Sequence, residues 1–140
     1  MKTYLDTSIV VALFVDDQHR GRAKAFLRDQ QPDIVVSDFA AAEFSAAIAR
    51  HVRTGKATAQ AAKAAFADFD TWAYLFAEGA ATDASDVRTA EAFIRRLDLN
   101  LRAPDALHIA VVQRIGAILA TFDERMAANA KALGTPVAAA

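Results

Sequence analysis

The chain has 140 residues, a formal net charge of -1, 54% hydrophobic residues and no cysteine. Residues 1–140 suit a single domain, long enough to bury about two thirds of the unfolded chain's surface. The composition excludes disulfides, thiolate zinc sites and a cysteine nucleophile, a bulk polyanion binder and, since no apolar run is long enough, a membrane span.

Charges recur at Asp6, Asp16 and Asp17, so the N-terminus lacks the pattern of a secretory leader and a cytoplasmic location is expected. Lys2 to Leu5 reads as a first strand, followed by a helix through Ile9, Val10, Leu13 and Phe14. A second helix carries Ala23, Phe26 and Leu27 up to the break at Pro32. The run Ile34-Val35-Val36 is short, continuous and β-branched, as a strand buried on both faces should be. Ser37 or Asp38 then caps a helix running to about Thr54, with Gly55 as its C′ residue.

With 35 alanines in the chain, helix should dominate what the strands leave. Residues 57–76 form an Ala-rich helix with Phe66, Phe69, Ala73 and Phe76 along one stripe, either core or a face for a partner. Gly79 breaks it. Asp83 or Ser85 opens another helix through Ala90, Phe93, Ile94 and Leu97. Pro104 fits the first turn of a helix ending near Ile115 and Gly116. A strand from Ala117 to Thr121 follows, then a helix to about Leu133 and a possible edge strand at Pro136-Val137. Alternating strands and helices mean an α/β fold with a mostly parallel sheet. It is lopsided, because helices alone fill the long gap between the second and third central strands.

Four acids stand out by position. Asp6 ends the first strand, Glu43 lies on the helix after the second, Asp105 opens the helix before the last central strand, and Asp123 follows that strand. Ligands of open parallel sheets bind beyond the carboxyl ends of the strands, so this fold would bring all four into one cleft. Carboxylates held together raise one another's pKa unless a cation neutralises them. All-oxygen ligation points to a hard ion, Mg²⁺ or Mn²⁺. With the hydroxyls of Thr7, Ser8 and Thr121 nearby, the cluster suits metal-assisted hydrolysis of a phosphodiester.

Taken singly, each acid has a second explanation. Asp105 could serve the helix dipole, and Asp123 could cap the last helix as well as join the cluster. Glu43 has Phe39, Ala40, Ala46 and Ala47 as helical neighbours; a carboxylate on that apolar face needs a cation or a partner such as Arg50. His108, one turn after Asp105, reads as a packed or supporting residue rather than a general base. Asp83 and Asp86 look like helix-start acids. Eleven of the 16 basic residues are Arg, which suits bidentate phosphate contacts. They cluster at Arg20 and Arg22 beside His19, at Arg50, His51 and Arg53 with Lys56, and at Arg95 and Arg96 with Arg102. Most are expected on solvated helix faces, with Arg20, Arg22 and Arg102 as candidates for substrate phosphates.

The stretches Leu5-Asp6-Thr7-Ser8, Leu101-Arg102-Ala103-Pro104-Asp105-Ala106-Leu107-His108-Ile109-Ala110 and Leu119-Ala120-Thr121-Phe122-Asp123, with a lone Glu43 between, resemble PIN-domain ribonucleases. In size and motif order the chain is most similar to the VapC toxins of bacterial toxin–antitoxin pairs. The resemblance implies a three-layer fold with a sheet of four to five mostly parallel strands flanked by helices. It implies Asp6, Glu43, Asp105 and Asp123 as the acidic metal-site quartet and catalytic residues, supported by Thr7, Ser8 and Thr121. It further implies a homodimer that cuts RNA with Mg²⁺ or Mn²⁺, leaving 5′-phosphate and 3′-hydroxyl ends. A cognate antitoxin would pack on the helical pair at about residues 39–76 and send a basic side chain into the acidic cleft.

Three other readings compete. A phosphotransferase of the haloacid-dehalogenase type needs a second Asp where Ser8 stands. A response-regulator receiver needs an acidic pair on its first strand and a Lys on its last, and neither is present. A catalytically silent PIN-like module acting with an antitoxin in transcriptional autoregulation remains the alternative.

Overall fold

The computed structural model describes residues 1–15 and 18–140; Asp16 and Asp17, two of the charges weighed at the N-terminus, lie outside them. Strand β1 (Lys2–Leu5) leads into helix α1 (Thr7–Phe14), α2 (Arg20–Gln30), strand β2 (Asp33–Ser37), α3 (Asp38–Arg53) and α4 (Ala59–Phe76). Strand β3 (Ala77–Ala80), α5 (Ala84–Ile94), α6 (Ala103–Ile115), β4 (Ile118–Ala120) and α7 (Glu124–Ala132) complete the order. The sheet runs β3-β2-β1-β4, and its ladders are all parallel. No described helix is long and apolar enough to cross a membrane.

The pleat sorts the core into two halves. Tyr4, Val35 and Leu119 point to one face, where Ala106, Ile109, Val112, Met126 and Ala130 of α6 and α7 cover them together with α5. Leu5, Val36 and Ala120 point to the other, under Ile9 and Val10 of α1, Phe26 of α2, Phe44 of α3 and Phe69 of α4. Strands clothed on both sides need apolar residues at successive positions, which explains the unbroken run in β2. Phe14 anchors the second half, with its ring edge-on to Phe44, Phe69 and Trp72 at 5.9, 5.7 and 5.4 Å.

Caps delimit the helices as the sequence leads one to expect. The Ser37 side chain, rather than Asp38, caps α3 by accepting from the Ala40 amide at 2.9 Å. Asp83 and Asp86 form a capping box on α5. Gly55 follows α3 with φ +75°.

Several expectations need correction. Gly79 is not a simple helix breaker: Ala77–Ala80 pair with Ile34–Ser37 as strand β3, so the long gap between β2 and the last strand is not purely helical. The reason is register, since a chain leaving α4 beside β2 meets a free row of backbone donors and acceptors. Pro136-Val137 makes only an isolated parallel bridge, Leu119 to Val137, held by the Leu119 amide on Pro136 O at 2.9 Å and the Ala138 amide on Leu119 O at 2.7 Å. In the aromatic stripe Phe69 is core, but Phe76, the last residue of α4, stays 64% exposed. Leu97 lies beyond the end of α5 and is exposed.

Candidate active site

The strand order places β2 on one side of β1 and β4 on the other. The connections after β1 and β4 therefore part at this point, and the crevice beyond their carboxyl ends is where an α/β sheet admits a ligand. Asp6 sits there. Its backbone is extended and its amide donates to Ala120 O at 3.1 Å, so the ladder continues one residue past β1. The side chain then caps α1, accepting from the Ile9 amide at 3.4 Å.

Asp6 is the most buried of the four acids, at 4% exposure. Ser8 Oγ donates to one of its carboxylate oxygens and Thr121 Oγ1 to the other, each at 2.6 Å. Burial raises its carboxyl above the usual Asp range against the pull of those hydroxyls. Ser8 Oγ also accepts the Phe122 amide at 3.1 Å and Thr121 Oγ1 the Asp123 amide at 3.0 Å. Both supporting hydroxyls thus tie the turn after β4 to the turn after β1. Asp123 does cap the last helix, accepting from the Met126 amide at 3.0 Å.

Glu43 does not pair with Arg50. Its partners are Thr7 Oγ1 at 2.6 Å and His108 Nε2 at 2.5 Å. Burial works to raise its carboxyl, yet the hydrogen bonds from His108 and Thr7 bring it below its usual value. Thr7 Oγ1 also lies 3.4 Å from His108 Nε2. His108 is buried, as a packed supporting residue should be. Asp105 opens α6 and is half-buried. Burial raises its carboxyl, the nearby Asp123 charge adds to the rise, and Arg102 opposes it.

The structure thus gathers Asp6, Ser8, Thr121 and Asp123 into one hydrogen-bonded cluster and Glu43, Thr7 and His108 into a second beside it. Asp105 is coupled electrostatically to both through Asp123 and His108. As a donor set these residues fit a hard divalent cation, being carboxylate and hydroxyl oxygens at one sheet edge, two of the acids reluctant to ionise without added positive charge. Among the described residues no three His, Asp or Glu side chains already stand close enough to hold one ion. A cation here would have to draw the acids together or complete its shell with water.

The candidate phosphate-binding arginines divide. Arg22 lies over the Phe122 ring at 4.3 Å and donates to the Ala140 carbonyl, which puts it beside the Asp123 turn. Arg102 stands at the rim, 3.5 Å from Asp105 and largely exposed. Arg20 has a buried Nε without a hydrogen-bond partner among the described residues. Arg95 and Arg96 form exposed ion pairs with Glu91 and Asp98, as solvated helix faces do. Sequence reasoning missed Tyr4, whose hydroxyl reaches His108 Nδ1 at 2.6 Å. The signal was present: Tyr4 lies two residues before Asp6 in extended backbone and so shares its side of the sheet.

A parallel sheet in the order β3-β2-β1-β4 between two helical layers defines the class, and the PIN domain family model matches residues 3–132. The chain belongs to the PIN domain family. Ribonuclease VapC46 of Mycobacterium tuberculosis is 32% identical over 139 residues, spanning 97% of this chain and 95% of that protein. Among solved structures, Mycobacterium tuberculosis VapC20, a sarcin-ricin loop cleaving toxin, superposes with a TM-score of 0.72 at 23% identity, covering 91% of this chain and 94% of its own. VapBC2 from Rickettsia felis, bound to a DNA fragment from its promoter, gives 0.68 at 16% identity, covering 91% and 92%.

Proposed function

We propose that this chain, as a single PIN domain, is a divalent-metal-dependent endoribonuclease and the toxin of a toxin–antitoxin pair. The observation that carries the reading is Asp6, nearly sealed from solvent just past the end of β1, with Ser8 and Thr121 holding its two oxygens and Thr121 tying it to the Asp123 turn. A ribonuclease relative at 32% identity across nearly the whole chain supports it.

Asp6, Asp105 and Asp123 would hold Mg²⁺ or Mn²⁺, with Glu43 beside them as the fourth acid. When bound, the ion neutralises charge on the phosphodiester and makes water a better nucleophile. Ser8 and Thr121 fix both oxygens of Asp6, and Thr7 fixes Glu43. Arg22, Arg102 and Arg20 would receive RNA phosphates, a reading supported by Arg22 lying over Phe122 and by Arg102 standing exposed beside Asp105. The antitoxin would pack on α3 and α4, where Tyr74, Leu75 and Phe76 are exposed by 89, 61 and 64%. A homodimer acting in the cytoplasm completes the proposal.

The test incubates the purified protein, freed of any partner, with a mixed cellular RNA pool in Mn²⁺, Mg²⁺ or EDTA. Discrete fragments that require metal are expected. Asp6→Ala should lower the rate by about 100-fold or more, and Asp105→Asn should do the same in a variant that keeps the fold. Metal-dependent cleavage retained by both variants overturns the site. No cleavage under any condition favours the silent module that works with an antitoxin at a promoter.

A further inference from the structure

Tyr4, Ser37 and His108 have no part in the metal or RNA contacts proposed above, yet all three are buried, at 0, 1 and 3% exposure. Polar groups persist in a core when their hydrogen bonds are made, and these make theirs in a single chain. Ser37 Oγ lies 2.7 Å from the Tyr4 hydroxyl, which lies 2.6 Å from His108 Nδ1. His108 Nε2 lies 2.5 Å from Glu43 Oε1. This chain of hydrogen bonds joins β2, β1 and α6 to α3, which packs on the opposite face of the sheet from α6.

Its direction follows from counting hydrogens. Ser37 Oγ already accepts the Ala40 amide as the cap of α3, and its own hydrogen can go to the Tyr4 oxygen. Tyr4 then gives its hydrogen to His108 Nδ1, which must carry none. The imidazole's proton is left on Nε2, aimed at Glu43. The reverse direction would strand the Ser37 hydrogen in the core. The ring is also held by packing, with Phe39 at 5.0 Å and Tyr4 edge-on at 5.7 Å between ring centroids.

We infer that His108 is a positioning residue for Glu43, locked in its Nε2–H tautomer by the buried Tyr4 hydroxyl, so that Glu43 faces the proposed cation and RNA as a carboxylate of fixed orientation. Its consequence for catalysis rests on the ribonuclease reading; the tautomer does not. Thr7 holds the same Glu43 oxygen from the opposite direction of the chain. Neither bond engages the other Glu43 oxygen.

Two variants separate positioning from packing. In His108→Gln the amide nitrogen stands about where Nε2 was and still donates to Glu43. In His108→Asn it reaches only about as far as Nδ1. Both bury one amide. Calorimetric titration with Mn²⁺ alone should show His108→Asn weakened by about tenfold or more and His108→Gln within about threefold of wild type, the scale on which outer-shell partners act. The rate constant at saturating RNA should follow the same order with KM unchanged. Equal losses in the two variants, tracking their melting temperatures, overturn the inference.

Nitrogen-15 NMR of the metal-free wild type should show His108 protonated at Nε2 and bare at Nδ1. A proton on Nδ1 overturns the relay. Wild-type protein that binds no Mn²⁺ overturns the cation site on which the role depends. The expected tautomer and Mn²⁺ order without any RNA cleavage would uphold the positioning role and sink the ribonuclease reading instead.

Discussion

Asp105 shows at one residue how a crowded acidic site sets stability against function. Burial raises its carboxyl above the ordinary 3.8, and the Asp123 charge adds to the rise. A carboxyl raised on folding binds its proton more tightly in the native chain than in the unfolded one. Its ionisation therefore costs stability: the cost is absent below 3.8 and complete once pH exceeds the raised folded value. Asp105→Asn should accordingly melt higher than wild type at pH 7 without metal, by about 1–3 °C. The gap should close as pH falls below the ordinary value. Arg102 is largely exposed and 3.5 Å away, so the loss of this ion pair in the variant matters little. Mn²⁺ should reverse the order, since only wild type gains the full binding free energy. Scanning calorimetry at both pH values checks this, and an Asn variant that melts lower at pH 7 without metal contradicts it. The four acids could be picked out from sequence because Asp6, Asp105 and Asp123 sit at a strand end or a helix start and Glu43 interrupts an apolar helix face. The partner of Glu43 could not. Arg50 lies two turns along the same helix, while His108 arrives from the opposite helical layer, a pairing that exists only once the sheet is assembled.

Among elements, legibility followed how much of each element's stability is local. Helices α3, α6 and α7 carry their own signals: Ser37 and Asp123 as side-chain caps, Pro104 in a first turn, Gly116 at a C-terminus. Strand β3 carries none. Ala77-Glu78-Gly79-Ala80 has no β-branched or aromatic residue, and its strand geometry comes from pairing along β2. Context outweighs propensity in such an edge. The same reasoning makes Gly116 a sharp test of a local signal. It ends α6 at φ +67°, and a Cβ added there would meet nothing within 4 Å. Gly116→Ala should therefore incur only the backbone cost of the left-handed region, about 1 kcal/mol. Urea unfolding should show a lower midpoint with an unchanged slope. A loss well above about 2 kcal/mol would mean that the α6–β4 turn bears on packing the geometry does not reveal.

At the scale of the whole molecule, α6 links the site to the rest of the core. Asp105 and His108 lie in its first half and Arg114 in its last turn. Arg114 grips Asp86 of α5 through Nε at 2.8 Å and Nη2 at 3.0 Å, and reaches the Ala81 carbonyl after β3 at 2.6 Å. Asp86 also accepts the Asp83 amide at 2.8 Å. The sequence suggested a helix-start acid. The structure agrees but buries it to 2% exposure, because packing α5 on α6 brings Arg114 across from a distant part of the chain. Removing one partner of such a pair leaves a charge stranded in the core. Arg114→Met should thus lower the unfolding midpoint, and adding Asp86→Asn in the same chain should restore part of the loss by relieving the unpaired charge. Chemical denaturation of the single and double variants measures both. Activity should respond differently: Asp105 and His108 are fixed by contacts at the other end of α6, so Arg114→Met should cleave RNA within about threefold of wild type at a temperature where it stays folded. A variant that keeps its stability but loses cleavage would show that the bridge aligns the site rather than the scaffold. A stable, active variant would show that solvent reaches Asp86 once the guanidinium is gone.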